Sequence, residues 1–155
     1  MTDSISIQCD DFDAGIEIRN LRSASSSVGA VANFIGVVSD HNDGSEVASL
    51  TLEHYPGMTE KSIAAIIARA NQRWPLLGVR VIHRIGELQR GDQIVFVGVA
   101  SRHRGAAFSA CEFIMDFLKT QAPFWKKERT AQGDRWVDAR ASDSAATARW
   151  NSQPQ

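Results

Sequence analysis

The run from Gly98 to Glu128 most constrains the fold, because it contains a helix that has to be covered on several sides at once. Ala106, Ala107, Ala110, Cys111, Phe113, Ile114, Met115, Phe117 and Leu118 take up most of a helix circumference, a pattern of burial on several faces. Pro123 stops the helix. Only Ser109, Glu112, Asp116 and Lys119 break the apolar cover; spaced by three and four, they share one face that leads to Lys119 in the last turn. The simpler account of Lys119 is a cation placed well against the helix dipole, with Asp116 as its ion-pair partner. The sharper account is that Lys119 lines a site, since a lysine beside apolar surface loses hydration and can act as acid, base or anion anchor.

The flanks of the helix carry more charge. Phe124 to Thr130, a turn over 131–134 and Arg135-Trp136-Val137 predict a hairpin. Alternation puts Phe124, Lys126 and Glu128 on one face and Trp125, Lys127 and Arg129 on the other, so one of the two adjacent lysines points towards Lys119. Parity alone does not say which. At the other end, Arg102, His103 and Arg104 stand beside the first turn, where free N–H groups already concentrate positive charge. Such a cluster either surrounds an anion or reaches out to solvent or a carboxylate. Residues 104 and 119 lie ~22 Å apart at ~1.5 Å rise per residue, too far for one small ligand. Either two sites exist, or a symmetric dimer brings His103 and Arg104 of one chain to Lys119 and Lys126 of the other; the dimer is the favoured expectation.

In the rest of the chain, Ile5 and Ile7 alternate as a first strand, and Asp13 is placed to cap a brief helix through Ile16, Ile18 and Leu21. Gly29 to Val38 predicts a buried strand, and the polar segment from Ser39 to Glu46 is expected to be an exposed, mobile turn. Val47 to His54 alternates as a strand. Thr59 is expected to cap a helix carrying Ile63, Ile66, Ile67, Ala70 and Trp74, with Pro75 as its stop. Val79, Val81, His83 and Ile85 form one face of the next strand, with His83 read as a half-buried structural residue; 86–92 then connects to a strand over 93–100. Ser142 or Asp143 is expected to cap a short last helix ending near Trp150. This order predicts an α+β fold in which two long helices pack on a mostly antiparallel sheet.

Composition removes several classes of function. A chain of 155 residues fits one domain over 1–150 with a disordered tail at 151–155, and buries ~70% of its unfolded surface without a staple. Lys plus Arg is 17 against 18 for Asp plus Glu, a net charge of -1 that gives no general attraction to nucleic acid or an anionic membrane. The acidic N-terminus lacks secretory features and no apolar run approaches ~20 residues, so a cytoplasmic location without membrane contact is expected. Cys9 and Cys111 form no C-x-x-C pair, and Cys111 reads as a small buried thiol rather than a nucleophile. His41, His54, His83 and His103 lack metal-ligand spacing, so no metal site is expected. What remains is a set of local cations with aromatics nearby, His103, Arg104, Lys119, Lys126 and Arg140, which suits a small anionic ligand.

The blocks T-L-E-H-Y-P-G-M-T-E-K (51–61), V-I-H-R-I-G-E-L (81–88), G-D-Q-I-V-F-V-G-V (91–99), F-I-M-D-F-L-K-T-Q-A-P-F-W-K (113–126) and G-D-R-W-V-D-A-R (133–140) strongly resemble the large, catalytic subunits of molybdopterin synthase. The resemblance runs from about Ala30 to Trp150. It implies an α/β-hammerhead-like fold and a sulfurtransferase of molybdenum cofactor biosynthesis that converts cyclic pyranopterin monophosphate into the molybdopterin dithiolene. It further implies that the sulfur arrives as the C-terminal glycine thiocarboxylate of a small ubiquitin-like subunit. Two such partners flank a large-subunit homodimer to make a heterotetramer, and no cofactor is required.

By position, Lys119 and Lys126 match the family's catalytic lysines, and His103 and Arg104 match its substrate-anion contacts. Val37, Val38, Ser39, Lys127, Glu128 and Arg140 fall in or beside the substrate-binding segments, and Phe34, Gly36 and Met115 match the channel for the partner's tail. One departure stands out: F-I-G-V-V-S-D-H-N has Ser39 where the family usually carries arginine. The loss of one charge-assisted hydrogen bond, ~1.5–3 kcal/mol, weakens binding by roughly tenfold or more unless another cation substitutes. Ser39 thus favours two rival readings, a subunit that only docks a peptide tail and a divergent paralogue that binds a pterin or nucleotide without sulfur transfer. The two retained lysines favour the enzyme.

Overall fold

The computed structural model describes residues 2–42, 45–137 and 141–151. In chain order these form β1 (Thr2–Gln8), α1 (Ala14–Arg22), β2 (Ala30–Val37), β3 (His41–Asn42), β4 (Ser45–His54), α2 (Met58–Arg73), β5 (Leu76–Arg84), β6 (Gly86–Gln89), β7 (Gln93–Ser101), α3 (Arg104–Gln121), β8 (Phe124–Thr130), β9 (Gly133–Val137) and α4 (Ala141–Asn151). The α+β class holds, but the strands divide into two sheets where the sequence reading has one. The first runs β1-β5-β7-β2, with β1 parallel to β5 and the other ladders antiparallel. The second runs β3-β4-β8-β9, with β6 also paired to β4.

The first sheet is covered on both faces, so its central strands β5 and β7 are buried along most of their length, and β7 is apolar between Gln93 and Ser101. On one face Ile63, Ile66 and Ala70 of α2 and Phe113, Ile114 and Phe117 of α3 pack over Val79, Val81, Val97 and Val99. On the other, Leu21 of α1 meets Ile82, Phe96 and Ala100. Asp13 caps α1 as expected, its carboxylate accepting from the Ile16 N–H. The many-sided burial of α3 is completed by α4: Trp150 is buried and sets its ring edge-on to Trp74 and Phe113, at 5.7 and 5.5 Å between centroids.

Four local expectations are corrected. The connection over 86–92 contains β6, a four-residue strand too short to show a period and formed because β4 has an edge to pair it. Thr59 does not cap α2, which starts at Met58 after Gly57. Instead the buried Thr59 hydroxyl donates to the Pro123 carbonyl at 2.9 Å and accepts from the Tyr55 N–H at 3.0 Å, tying the start of α2 to the segment before β8. β2 is only partly buried, because as an edge strand it leaves Asn33, Phe34 and Val37 exposed. α4 begins at Ala141, so Ser142 and Asp143 stand inside its first turn. No helix among the described residues is long and apolar enough to cross a membrane.

Candidate functional site

A cavity of about 520 Å³ opens between the two sheets at the C-terminal end of α3. Its walls come from the end of β2 and the residues after it, from β5 and β7, from the last turns of α3, and from β4 and β8. Lys119 reaches it from α3 and Lys126 from β8. The side chains of Phe124, Lys126 and Glu128 all line it, while Trp125 is exposed and Lys127 holds its ammonium 5.7 Å from the Trp136 ring centroid on the opposite face. The β8–β9 register agrees with this: Lys126 stands opposite Val137, which also lines the cavity, and Lys127 opposite Trp136. Parity leaves two faces open, and the cavity shows that Lys126 is on the one that Lys119 also lines.

The expected ion pair between Lys119 and Asp116 does not form. Trp150 Nε1 donates to the Asp116 carboxylate at 2.6 Å and Arg149 Nη2 at 3.1 Å, so α4 takes over the polar stripe of α3. Arg149 also pairs with Glu112. Glu128 is buried in the cavity wall, where its Oε1 accepts from Nε and Nη2 of Arg135, both at 3.2 Å.

The β2 end of the cavity depends on Gly36. A Cβ there would stand 2.8 Å from Val95 Cγ1, inside any real contact distance, so only glycine lets β2 lie this close to β7. The register shifts between Gly36 and Val37, and the chain then runs along the cavity mouth. Val38 is buried, its N–H donating to the Asp92 carbonyl and its own carbonyl accepting from the Gly91 N–H, each at 2.9 Å. Ser39 is exposed, with its hydroxyl 3.4 Å from the His41 N–H. Beside it His41 Nδ1 lies 3.0 Å from Asp40, and that hydrogen bond holds the Asp40 carboxyl below its ordinary range.

The cavity brings together Phe34, Gly36, Val37, Val38, Ser39, Met115, Lys119, Lys126 and Glu128. His103 and Arg104 are not among its walls: they are exposed at the N-terminus of α3, where His103 is the N-cap residue without a side-chain cap hydrogen bond. Lys127 faces away, and Arg140 lies outside the described residues. The sequence reading overlooked His83, which lines the cavity and is buried rather than half-buried. Its ring stacks on Phe124 at 3.8 Å between centroids, and Nδ1 lies 2.8 Å from the Arg84 carbonyl. Burial, with Lys119, Lys126 and His54 adding to it, pushes its pKa down to about 4. The available signal was a polar ring closing the apolar face of Val79 and Val81. His41 and Asp143 also line the cavity.

Two lysines in a cavity with partly apolar walls suit an anionic ligand and can offset charge that develops during a reaction. The thiol of α3, outside the cavity walls, is poorly suited to attack: Cys111 is buried, its Sγ lies 3.6 Å from the Val97 carbonyl, and burial followed by the nearby Glu112 pushes its pKa up to about 12.

The family model described as MoaE protein matches residues 7–121. A molybdopterin synthase catalytic subunit from Ralstonia nicotianae is 62% identical over 147 residues, covering 95% of this chain and 84% of that protein. One from Pseudomonas aeruginosa is 57% identical over 147 residues, covering 95% of this chain and 98% of that one. Among solved structures, the molybdopterin biosynthesis MoaE protein from Burkholderia ambifaria superposes with a TM-score of 0.83 at 52% identity, covering 99% of this chain and all of that one.

Proposed function

The chain belongs to the MoaE protein family, and from that premise we propose that it is the catalytic subunit of a molybdopterin synthase. It transfers sulfur to cyclic pyranopterin monophosphate and so builds the dithiolene of molybdopterin. The sulfur comes from the C-terminal thiocarboxylate of a small ubiquitin-like partner, whose tail enters past Phe34, Gly36 and Met115. The observation that carries this reading is the convergence of Lys119 and Lys126, from a helix and a strand, on one cavity whose walls contain no cysteine among the described residues. A donor that brings its own sulfur needs no protein nucleophile; it needs cations that offset charge as the thiocarboxylate attacks and groups that move protons as water releases the spent carboxylate.

Val37, Val38, Ser39 and Glu128 border the substrate, and Arg140 and Lys127 belong to the same binding region by resemblance. His103 and Arg104 meet the substrate's anionic group across a homodimer, two small partners completing a heterotetramer. Residues 1–150 act as one α/β-hammerhead-like domain in the cytoplasm, without a resident cofactor.

The test is formation of the dithiolene pterin from the cyclic precursor and a thiocarboxylated small subunit, comparing wild type with Lys119→Ala. Product from wild type and its loss in a variant that still binds the partner is the expected result. A folded, partner-bound wild type that makes no product sinks the reading in favour of a docking subunit, the alternative that Ser39 favours.

A further inference from the structure

We propose that Arg135 is a positioning residue of the site: from behind the wall it holds and neutralises the Glu128 carboxylate, so that a cavity with as many carboxylates as lysines still attracts an anionic substrate. The role rests on the anionic substrate proposed above. Among the described residues, the formally charged side chains on the wall are Lys119 and Lys126 against Glu128 and Asp143. The two histidines do not break the tie. Burial keeps His83 neutral, and His41 lies 3.0 Å from a carboxylate of its own, Asp40. Ser39, also on the wall, adds no charge. By themselves these groups offer an anion no net attraction.

Arg135 changes the balance without being a wall residue itself. It stands on β9 directly opposite Glu128 of β8, and its Nε and Nη2 both donate to Glu128 Oε1 at 3.2 Å. The Glu128 side chain is 6% exposed and that of Arg135 38%, so the counter-charge is applied from the solvent side. On its other flank Glu128 faces Leu50 of β4, which has no charge to offer. Two donors of a planar fork fix the carboxylate in direction as well as in charge. With Glu128 neutralised in this way, Lys119 and Lys126 outweigh Asp143, and the cavity gains the sign that an anion requires.

The experiment uses the assembled synthase, this chain with its thiocarboxylated partner, and measures kcat, KM for the cyclic precursor and Ki for inorganic phosphate in wild type, Arg135→Met and Arg135→Lys. Methionine keeps much of the aliphatic stem and removes the charge; lysine keeps the charge and loses the fork. One uncompensated charge in the wall should raise KM and the phosphate Ki together by roughly tenfold while kcat changes by no more than about threefold, and lysine should recover most of the loss. A folded Arg135→Met enzyme with the wild-type KM and Ki overturns the proposal, as does a KM that lysine leaves at the methionine value. Where methionine strands the buried carboxylate and the chain does not fold, Arg135→Met/Glu128→Gln removes both charges and keeps the balance of the wall. Its phosphate Ki should lie close to that of wild type, and a tenfold weaker one refutes an action through Glu128. An inactive wild type is a failure of the transferase reading instead. Equilibrium binding of phosphate to wild type and the double variant then still decides the matter: equal affinities support the role of Arg135, and unequal ones, or a wild type that binds no phosphate, overturn it.

Discussion

His83 should make this protein acid-sensitive in a defined window. Its folded-state pKa, about 4, lies below the ordinary 6.5, first because burial disfavours the imidazolium and then because Lys119, Lys126 and His54 repel it, against the pull of the Arg84 carbonyl. The unfolded chain therefore binds the extra proton between these values, and stability falls as pH falls. The contribution is complete above about pH 6.5 and disappears by about pH 4; at about 1.4 kcal/mol for each pH unit it amounts to at most about 3.5 kcal/mol. Asp11 and Asp40 do not share this window. Their carboxyls are held below 3.8, by a hydrogen bond from Gln93 and from His41 respectively, so what they contribute is lost only at lower pH. His83→Phe keeps the stack but strands the Arg84 carbonyl, a cost of about 1–3 kcal/mol at pH 7. Urea unfolding at intervals from pH 7 to 4.5 should show the wild type losing stability faster than the variant, the two converging below pH 5. The other histidines are common to both and cancel in the difference. Parallel curves would refute the reasoning.

Lys126→Ala should lower single-turnover sulfur transfer by about a hundredfold or more, the usual range for a lost proton-transfer group, and Lys127→Ala by no more than a few-fold; equal losses would contradict the strand parity. Ser39→Arg should raise activity roughly tenfold by supplying the cation the family usually has at that position, seen mainly as a lower KM, and no gain would show that the serine is compensated. Trp150→Ala removes a buried ring that bonds Asp116 and packs on Trp74 and Phe113, and should cost about 3–5 kcal/mol in denaturant unfolding; a cost under about 1 kcal/mol would mean that α4 is not part of the cooperative core.

How much of this was legible in the sequence depended on how local each decision was. α3, the strand pair around Lys126 and the cap at Asp13 all follow from periods and turn residues within a few positions of one another. The division into two sheets was not legible, because β6 is four residues long and is a strand only through its pairing with β4 some thirty-odd positions earlier. The same distinction holds in the site. Alternation showed that one of Lys126 and Lys127 faces Lys119, but the choice needed the cavity that β8 and α3 both line. Asp116 looked like the natural partner of Lys119 one turn away and was taken by Trp150 and Arg149 of α4, which no local rule brings near. His83 read as one more residue on an apolar face because nothing in its own strand indicates Phe124 or the lysines.

The separation of the cations was legible and persists in the fold. A helix from Arg104 to Gln121 is stiff, so no side-chain rearrangement closes ~22 Å between Arg104 and Lys119. If both groups serve one substrate, the site needs two chains, and this has a consequence for mixtures of inactive variants. Lys119→Ala and Arg104→Ala chains, refolded together in equal amounts, form mixed dimers in about half of cases. Each mixed dimer holds one site with both defects and one with neither, since the intact Lys119 and the intact Arg104 come from different chains. About a quarter of wild-type activity should therefore return from two preparations that are each inactive alone. If the two residues act within one protomer, every site in the mixture carries a defect and no activity returns. If they serve separate sites, Arg104→Ala keeps sulfur transfer and loses only the function of its own end of α3.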